Sequence, residues 1–407
     1  MTEGLRTWVE IDARALRHNA EQFLRIIPGK TRLMAIIKSN AYGHGLSLVA
    51  GQLAALSSFC HAEAKPKHLY RNKDRDPSLT LRMTEEKIWF GVDSIIEALR
   101  LRKDGIENPI LVLGHTLPAR LADAAKRDIL VSIGNFEALA AIAALRRRPQ
   151  FHLKFDTGMC RQGFLAEEIP KLIALLHKSD LKPHGIFTHF ASAKDPDDTA
   201  FTRRQIKAFS VMTGILESAG YTGCMYHAAA TGGALLFPEA HLDMVRIGMG
   251  LYGHWPSQEA REANSEQPIG RGMRLKPVLA WKSIIAEVKK IPKGSRVGYD
   301  GTERVRRDTI MAVVPIGYWH GYDRGLSGKG EILVRGRRAK VLGRISMDMT
   351  VIDVTDISKV CVGDEVVLLG AQGKDAVYAD ELAGKINTTA YEFLTRINPL
   401  IKREVRG

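Results

Sequence analysis

The chain has 407 residues, of which 45% are hydrophobic and 26% are charged, and these proportions are ordinary for a globular protein with room for two or more domains. It contains no apolar run long enough to cross a bilayer, and residues 1–6 do not resemble the start of a signal peptide, so a cytoplasmic protein without a membrane partner is expected. The net charge of +14 comes from basic residues interspersed with acidic ones, and the four cysteines have no paired spacing, so we expect no nucleic-acid partner, no disulfide framework and no metal.

From Leu33 to Gly250, short apolar runs alternate with longer amphipathic segments, which is typical of repeated βα units. The eight predicted strands are Leu33–Lys38, Ile88–Val92, Ile110–Gly114, Ile129–Ile133, Phe151–Asp156, Pro183–His189, Cys224–Ala228 and Asp243–Ile247. Helical spacing of apolar residues is clearest over Asp93–Arg102, Asn135–Arg146, Glu167–His177 and Asp198–Ala219. The pattern predicts an α/β fold whose N-terminal part, residues 8–253, is a (β/α)8 TIM-type barrel.

Three segments lie outside this pattern: one interrupts the barrel and two come after it in the chain. Residues 57–87 are polar, of mixed charge and longer than a usual connection, so we predict an insertion there; surface decoration, an oligomer contact and a lid all fit its composition. Residues 254–276 are predicted to be a linker. From Pro277, short β-branched runs separated by Gly and Asp predict a β-rich domain over 277–407 with a short helical turn around Glu381–Glu392.

One lysine stands at the end of the first predicted strand. The run Met34–Ile37 is apolar, and Lys38 follows it directly, before a Gly-rich turn that ends at Gly45. An amine held against an apolar wall has a lowered pKa and can form a Schiff base with an aldehyde. A lysine that merely ends a strand in solvent is also common, so this segment alone leaves both interpretations open.

Other chemically capable residues stand at or just after the ends of later predicted strands. They are Lys154 and Asp156 on strand five, His189 on strand six, Thr231 after strand seven, and Arg246 with Gly248 at strand eight. In a parallel barrel these ends meet at one rim, where active sites are built and where the loops after strands seven and eight often bind phosphate. An amine facing a phosphate-binding corner suits pyridoxal 5′-phosphate, which carries an aldehyde and a phosphate.

Several motifs resemble those of the bacterial alanine racemase family. The segment Ile37–Gly45 resembles the family's cofactor-attachment motif. The others, in chain order, are Lys154–Arg161, Thr188–Ser192, Val245–Gly248, Val297–Tyr299, Pro315–Tyr318 and Ser346–Asp348. The resemblance covers nearly the whole chain outside the insertion. It implies pyridoxal 5′-phosphate as cofactor, alanine as substrate, a homodimer with shared active sites, and a supply of D-alanine for peptidoglycan.

The resemblance also implies catalytic roles. Lys38 would hold the cofactor and act as one base, and Tyr299, supplied by the second domain of the partner subunit, would be the base on the opposite face of the substrate. Arg246 would face the pyridine nitrogen and disfavour its protonation, which suppresses side reactions such as transamination. His189 would connect Arg246 with Tyr299.

The remaining implied residues bind cofactor or substrate. Tyr42, Thr231, Gly248, Met249 and Tyr391 stand where the family binds the cofactor phosphate, and Arg161, Tyr318 and Met347 stand where it binds or admits the substrate. Lys154 matches a lysine that is carbamylated in many members, where the resulting negative charge steadies the arginine that Arg161 resembles.

Departures from the family's pattern leave the amino-acid substrate open. Ala230–Thr231 replaces a usual Asn–Ser pair, Trp319–His320 replaces a commoner Ala–Asp pair, and Ser346 replaces a frequent cysteine. A serine or broader-specificity racemase, a decarboxylase with the same two domains, and a non-catalytic pyridoxal-phosphate-binding protein are therefore alternatives. Arg246 argues against a decarboxylase, because those enzymes ordinarily pair the pyridine nitrogen with a carboxylate. The β-rich domain with Tyr299 and Met347 argues against a carrier.

Overall fold

The computed structural model of the protein describes residues 4–62, 87–266 and 272–407. The chain divides into two compact units. The barrel unit comprises Leu16–Ser39 and Leu46–Lys276, and the β unit comprises Met1–Ala15, Asn40–Gly45 and Pro277–Gly407. Each unit therefore has its own fold.

Eight parallel strands form the sheet of the barrel unit. Numbered with all strands in chain order, they are Arg32–Ile36 (β2), Ile88–Val92 (β3), Ile110–Val112 (β4), Ile129–Ile133 (β5), Phe151–Lys154 (β6), Gly185–Phe187 (β7), Met225–His227 (β8) and Met244–Ile247 (β9). Their order is β8-β7-β6-β5-β4-β3-β2-β9, and a bridge from Ala230, just after β8, to Arg246 in β9 joins the two ends of the sheet. The strands thus close into a TIM-like barrel, which confirms the predicted fold class.

Most helices of the barrel unit lie between its strands, where the intervening segments have apolar residues on one face. In the described chain before residue 267 they are Ala13–Ile26, Lys38–Tyr42, Leu46–Ala62, Ile95–Lys103, Leu121–Lys126, Phe136–Ala143, Ile169–Lys178, Thr199–Ser218, Thr231–Leu236 and Gln258–Glu266. Side chains fix two of the starts: Ser94 and Glu97 form a capping box, and the Asn135 carbonyl oxygen accepts from the Ala138 amide at 2.8 Å. Every residue of β3 and β5 is buried, as expected for a parallel sheet covered on both faces.

The β unit is built on a mainly antiparallel sheet. Its strands are Thr7–Asp12 (β1), Leu279–Ile284 (β10), Glu287–Ile291 (β11), Arg296–Val297 (β12), Glu303–Arg304 (β13), Thr309–Val314 (β14), Glu331–Val334 (β15), Arg337–Leu342 (β16), Thr350–Asp353 (β17), Glu365–Gln372 (β18), Asp375–Val377 (β19) and Arg403–Arg406 (β20). The main sheet has the order β11-β14-β17-β16-β15-β18-β10-β1-β20, and two helices, Ala379–Lys385 and Ala390–Thr395, precede the last strand.

Three details differ from the sequence-based expectation. The sequence places residues 8–15 in the barrel, but β1 pairs antiparallel with β10 and parallel with β20, so this strand belongs to the β unit. The expected linker 254–276 contains the helix Gln258–Glu266. The helical turn expected around Glu381–Glu392 is a pair of helices.

The expected insertion at 57–87 lies mostly outside the described residues. Its first residues, to Ala62, continue the helix that begins at Leu46. Among the residues that the structure describes, no helix has both the length and the apolar character needed to span a membrane.

Candidate functional site

Lys38 follows β2 and opens an unusual turn. Over Lys38–Tyr42 the backbone is helical, but the φ angles of Ser39, Asn40, Ala41 and Tyr42 are +52° to +56°, so the turn is left-handed. Such a conformation costs a side-chain-bearing residue roughly 1–2 kcal/mol. Within the barrel unit, the Ser39 amide donates to Glu97 at 2.7 Å and the Lys38 ammonium lies 3.4 Å from Asp93. These carboxylates fix where the turn begins.

Arg246, on β9, is the centre of a hydrogen-bond network inside the barrel. Its Nη2 donates to the carbonyl oxygens of Thr188 at 2.8 Å and Ala228 at 2.7 Å. The same Nη2 lies 3.2 Å from His189 Nδ1, and Nη1 lies 2.8 Å from His227 Nδ1. The side chain is only 3% exposed, and no acidic residue of the described chain pairs with it. Burial lowers the pKa of Arg246 to about 9, so the guanidinium remains charged at neutral pH.

The two histidines around Arg246 are neutral. An arginine can only donate, so both imidazole Nδ1 atoms must present lone pairs to it and both rings carry their hydrogen on Nε2. Burial, and then the positive charge of Arg246, lower the pKa of His189 to about 3 and that of His227 well below its usual value. The cluster is therefore a fixed cation surrounded by uncharged acceptors.

His189 also locates the other basic residues of the rim. After burial, the positive charges that lower its pKa are those of Arg246, Arg161, Lys154 and Lys38, in that order. These electrostatic effects fall off with distance, so the five side chains share one region of the barrel unit. The structure thus brings together Lys38, Lys154, His189 and Arg246, which strand order predicted for this rim, and adds Arg161 to them.

Lys154, at the end of β6, is largely removed from water. Its Nζ donates to the side-chain Oε1 of Gln162 at 3.0 Å and lies 5.6 Å from the centre of the Phe187 ring. Burial and then the charges of Arg161 and Arg246 lower the pKa of Lys154 to about 8. A cavity of about 40 Å³ lies beside this amine, lined by residues that include Ser132 and Asn135. About a tenth of the amine is therefore uncharged at pH 7, far more than for an ordinary lysine.

The loop that carries Arg161 is fixed by one carboxylate. Asp156 accepts hydrogen bonds from the backbone amides of Gly158 at 3.0 Å, Cys160 at 3.0 Å and Arg161 at 2.7 Å. Despite partial burial, these backbone hydrogen bonds lower the pKa of Asp156. The charged carboxylate therefore holds the backbone of Arg161 in place, while the arginine side chain stays exposed.

The predicted phosphate corner is closed by its own hydrogen bonds. The Thr231 hydroxyl oxygen accepts from the amides of Gly248 at 3.1 Å and Gly250 at 3.5 Å. Gly250 has no room for a side chain, because a Cβ there would lie 2.4 Å from the Phe23 ring and 2.8 Å from the Thr231 methyl group. Met249 is buried in the same segment. Thr231, Gly248 and Met249 thus lie together, as predicted.

The other predicted residues belong to the β unit. The rings of Tyr42 and Tyr391 are in edge contact at 6.2 Å, and burial raises the pKa of Tyr391. The turn at Tyr318 is joined to the Met347 segment, because the Tyr318 amide donates to Ser346 O at 3.1 Å and the Trp319 amide to Met347 O at 3.0 Å. Tyr42 and Tyr391 therefore form one group, and Tyr318 and Met347 form another.

Tyr299 stands apart within the β unit. It begins the turn Tyr299–Gly301, between Gly298 with φ of +72° and Asp300 with φ of +60°, and Asp300 is paired with Arg344. Its side chain is 68% exposed, and its hydroxyl has no hydrogen-bond partner in the described part of the chain. The turn presents the phenol to the surface of the unit.

Sequence reasoning missed two residues of the Arg246 network. His227 contacts Arg246 directly, and His152 lies 2.8 Å from His227 through their Nδ1 and Nε2 atoms. One signal could have found them. Residues two apart on a strand lie on the same face of the sheet, and His152 and His227 stand two residues before Lys154 and Ala229, toward the rim.

Two family models match the chain. The model described as alanine racemase, N-terminal domain, matches residues 11–87 and 79–256, and the model described as alanine racemase, C-terminal domain, matches residues 278–405. Together they span most of both units.

Individual proteins match over nearly their whole length. An alanine racemase of Desulfosudis oleivorans is 37% identical over 410 residues, covering 97% of this chain and 95% of the relative. An alanine racemase of Leptospira interrogans is 34% identical over 412 residues, covering 100% and 97%.

Solved structures agree. Alanine racemase from Bacillus anthracis, crystallised with bound L-Ala-P, superposes with a TM-score of 0.84 at 29% identity, covering 99% of this chain and 95% of that one. The enzyme from Streptomyces lavendulae gives 0.82 at 31% identity, covering 99% and 97%.

Proposed function

We propose a reaction for this chain, which belongs to the alanine racemase family and is an amino-acid racemase. It interconverts L-alanine and D-alanine with pyridoxal 5′-phosphate by a two-base mechanism. The observation that carries the proposal is the buried Arg246, which lies 3.2 Å from His189 Nδ1 at the barrel rim, has no acidic partner among the described residues, and shares this region with Lys38, Lys154 and Arg161.

The residues present fit this cofactor. Lys38 supplies an amine for its aldehyde, and Arg246 Nε–H has no acceptor among the described residues, so it is free to meet a ring nitrogen. The Thr231 oxygen accepts from the amides of Gly248 and Gly250, which leaves the Thr231 hydroxyl hydrogen as a donor suited to a phosphate. When bound, pyridoxal 5′-phosphate supplies an electron sink that acidifies the substrate α-hydrogen.

Arg246 sets the electronic character of that sink. Its charge is held in one orientation by two carbonyl oxygens and two neutral imidazoles. A fixed cationic donor disfavours protonation of a ring nitrogen placed against it. We infer that Arg246 keeps the sink weak, which favours return of the proton over side reactions.

Two bases move the proton. Lys38 removes or returns it on one face, and the Tyr299 phenol does so on the other, because a single base would tend to return the proton to the side from which it came. The exposure of Tyr299 suits a residue that completes the site of a second copy of the chain. We therefore propose a homodimer with shared sites, in which His189 connects Arg246 with Tyr299.

Other residues bind the substrate. Arg161 is proposed to meet the alanine carboxylate, the backbone amide of Met347 to donate to it, and Tyr318 to line the entrance. Lys154 is proposed to be carbamylated: its neutral amine attacks carbon dioxide, a nitrogen–carbon bond forms and one proton is released. The resulting anion would stabilise Arg161, and intact mass measured with and without bicarbonate would reveal the modification.

The proposal is tested by assaying purified protein with each alanine enantiomer, using coupled oxidation of D-alanine, and by recording the visible absorbance of added pyridoxal 5′-phosphate. We expect racemisation in both directions and loss of both signals in Lys38→Ala, with Lys126→Ala as the surface control. Retained racemisation in Lys38→Ala would contradict the proposal. Serine belongs in the substrate panel because Trp319 and Ser346 depart from the family's pattern.

We further propose that the protein acts in the cytoplasm and supplies D-alanine for peptidoglycan. The relatives named above are bacterial, and D-alanine is the product that the proposed reaction provides. A bacterial strain that requires D-alanine should grow without it when this chain is expressed. Growth that still needs D-alanine, with active protein present, would contradict this role.

A further inference from the structure

A second layer of aromatic residues lies within the barrel next to Arg246. His152 on β6 and His227 on β8 are both fully buried, with 0% of each side chain exposed. Their rings are in edge contact with centroids 5.0 Å apart, and His227 stacks on Phe187 at 4.8 Å. The layer therefore connects strand β6 to the arginine on β9.

The hydrogen bonds in this layer have only one consistent assignment. Arg246 Nη1 donates to His227 Nδ1 at 2.8 Å, so neutral His227 carries its hydrogen on Nε2. That Nε2 lies 2.8 Å from His152 Nδ1, which must accept. Neutral His152 then carries its own hydrogen on Nε2, an atom that is buried and has no partner among the described residues. The direction of donation runs from Arg246 to His227 to His152.

The neutrality of both rings agrees with this assignment. Burial, then the charges of His184 and Arg246, lower the pKa of His152 to about 3. Burial, then Arg246 and His152, lower the pKa of His227 well below its usual value. A protonated ring in either position would present a donor to a neighbour that also donates.

The barrel is shaped around the His152 ring. Gly185 lies opposite His152 in the pairing of β6 with β7, and a Cβ at Gly185 would lie 2.5 Å from His152 Cε1 and 2.6 Å from its Nδ1. Trp89 lies against the ring with a centroid distance of 6.0 Å. Any side chain at residue 185 would displace the atom that accepts from His227.

We propose that His152 is a positioning residue for Arg246, because by accepting the Nε2 hydrogen of His227 it fixes the tautomer whose Nδ1 faces the guanidinium. The inference rests on the proposed role of Arg246 toward the cofactor and extends it to a side chain that makes no hydrogen bond with Arg246. If His227 adopted the other tautomer, its Nδ1–H would oppose an arginine N–H. Arg246 would then lose a hydrogen bond and its single orientation.

Two substitutions of matched shape separate the acceptor from the packing. His152→Asn places an amide oxygen near the position of Nδ1, whereas His152→Leu has the same branching and no acceptor. The control is His184→Leu, since His184 packs against His152 at 5.6 Å and Trp89 at 5.9 Å but makes no side-chain hydrogen bond in the described chain. The control removes a neighbouring ring without breaking the donor chain.

The readouts are kinetics, cofactor absorbance and histidine tautomers. We expect kcat/KM for alanine to fall about tenfold in His152→Leu and by less than about threefold in His152→Asn and His184→Leu. The pH at which the bound pyridoxal 5′-phosphate absorbance changes should rise by about one unit in His152→Leu alone, because a mobile Arg246 opposes ring protonation less. Long-range nitrogen–proton correlation NMR of histidine-labelled wild type should show Nε2–H on both His152 and His227.

Two outcomes would overturn the proposed role of His152. Equal behaviour of His152→Asn and His152→Leu in absorbance, or Nδ1–H on His152 in the wild type, overturns the proposal. The wild-type NMR result stands even if the leucine variant does not fold. Failure of the wild type to racemise alanine would instead refute the proposed function, and the tautomer assignment would still be read from the same protein.

Discussion

The Arg246 network and the Tyr299 turn are built in opposite ways, although both are proposed to serve one reaction. Arg246 is buried, and its Nη1 and Nη2 contact Thr188, Ala228, His189 and His227, all from its own unit. Tyr299 is 68% exposed on a turn with two neighbouring residues at positive φ. The first is fixed by folding of the chain, whereas the second needs another surface to become buried. Folding and catalysis should therefore respond differently to changes in the two regions.

The largest expected effect on stability is at Arg246. Arg246→Met leaves two carbonyl oxygens and two imidazoles without their buried donor, and we expect a loss of about 3–5 kcal/mol in the free energy of unfolding. Chemical denaturation followed by circular dichroism measures it. Arg203→Met is the control, since Arg203 forms an exposed pair with Glu239 at 2.7 Å. Equal losses in both variants would contradict the central place of Arg246 in folding.

Tyr299→Phe should show the reverse pattern. The substitution removes only the exposed hydroxyl, so stability should change by less than about 0.5 kcal/mol while kcat falls by about 10²–10⁴-fold, the usual contribution of a general acid or base. Racemisation rates from both enantiomers and the denaturation curve supply the comparison. Near-normal kcat in both directions would remove Tyr299 from the mechanism.

Acid should weaken the barrel unit through the buried His152 and the half-buried His189. The pKa values of His152 and His189 are lowered to about 3 from 6.5, so in this range the unfolded chain binds protons that the folded chain does not. The contribution of these histidines to the free energy of unfolding is therefore complete above pH 6.5. It declines as pH falls below 6.5, by about 1.4 kcal/mol per pH unit for each such histidine. Unfolding free energies measured from pH 8 to about pH 4 give the slope. His152→Asn should reduce the slope, and an unchanged slope would contradict the assignment.

The smallest effect concerns the left-handed turn after Lys38. Ser39 is exposed with φ of +55°, a conformation that glycine adopts without steric cost. Ser39→Gly should raise the free energy of unfolding by up to about 1 kcal/mol, whereas Ser39→Val should lower it. Denaturation of the two variants beside wild type decides, and a destabilising glycine would indicate that the turn is not left-handed in solution.

The sequence predicted the barrel well because its strands are apolar runs at regular intervals, and the rim residues follow from strand order alone. It missed β1 as a strand of the β unit, since Val9 pairs with Trp281 and Arg403, far along the chain. The helix Gln258–Glu266 was missed because it lacks an apolar stripe.

Side-chain geometry was harder to predict. His227 and His152 were missed because strand alternation places a residue on a face without naming its hydrogen-bond partner. The left-handed turn was missed because Ser, Ala and Tyr all disfavour it, and the carboxylate of Glu97 that accepts from the Ser39 amide comes from a later segment of the chain. Tyr299 was identified from family resemblance, since an exposed tyrosine in a turn carries no local signal.

Mixing two inactive variants tests the central claim, that one site draws Lys38 and Tyr299 from different copies of the chain. Lys38→Ala and Tyr299→Phe are unfolded together, refolded and assayed for alanine racemisation. In the mixed dimer one site carries both substitutions and the other carries neither, so about one quarter of the wild-type activity should return. Each variant refolded alone should stay inactive. If the mixture also stays inactive although mixed dimers form, the two residues do not act across subunits.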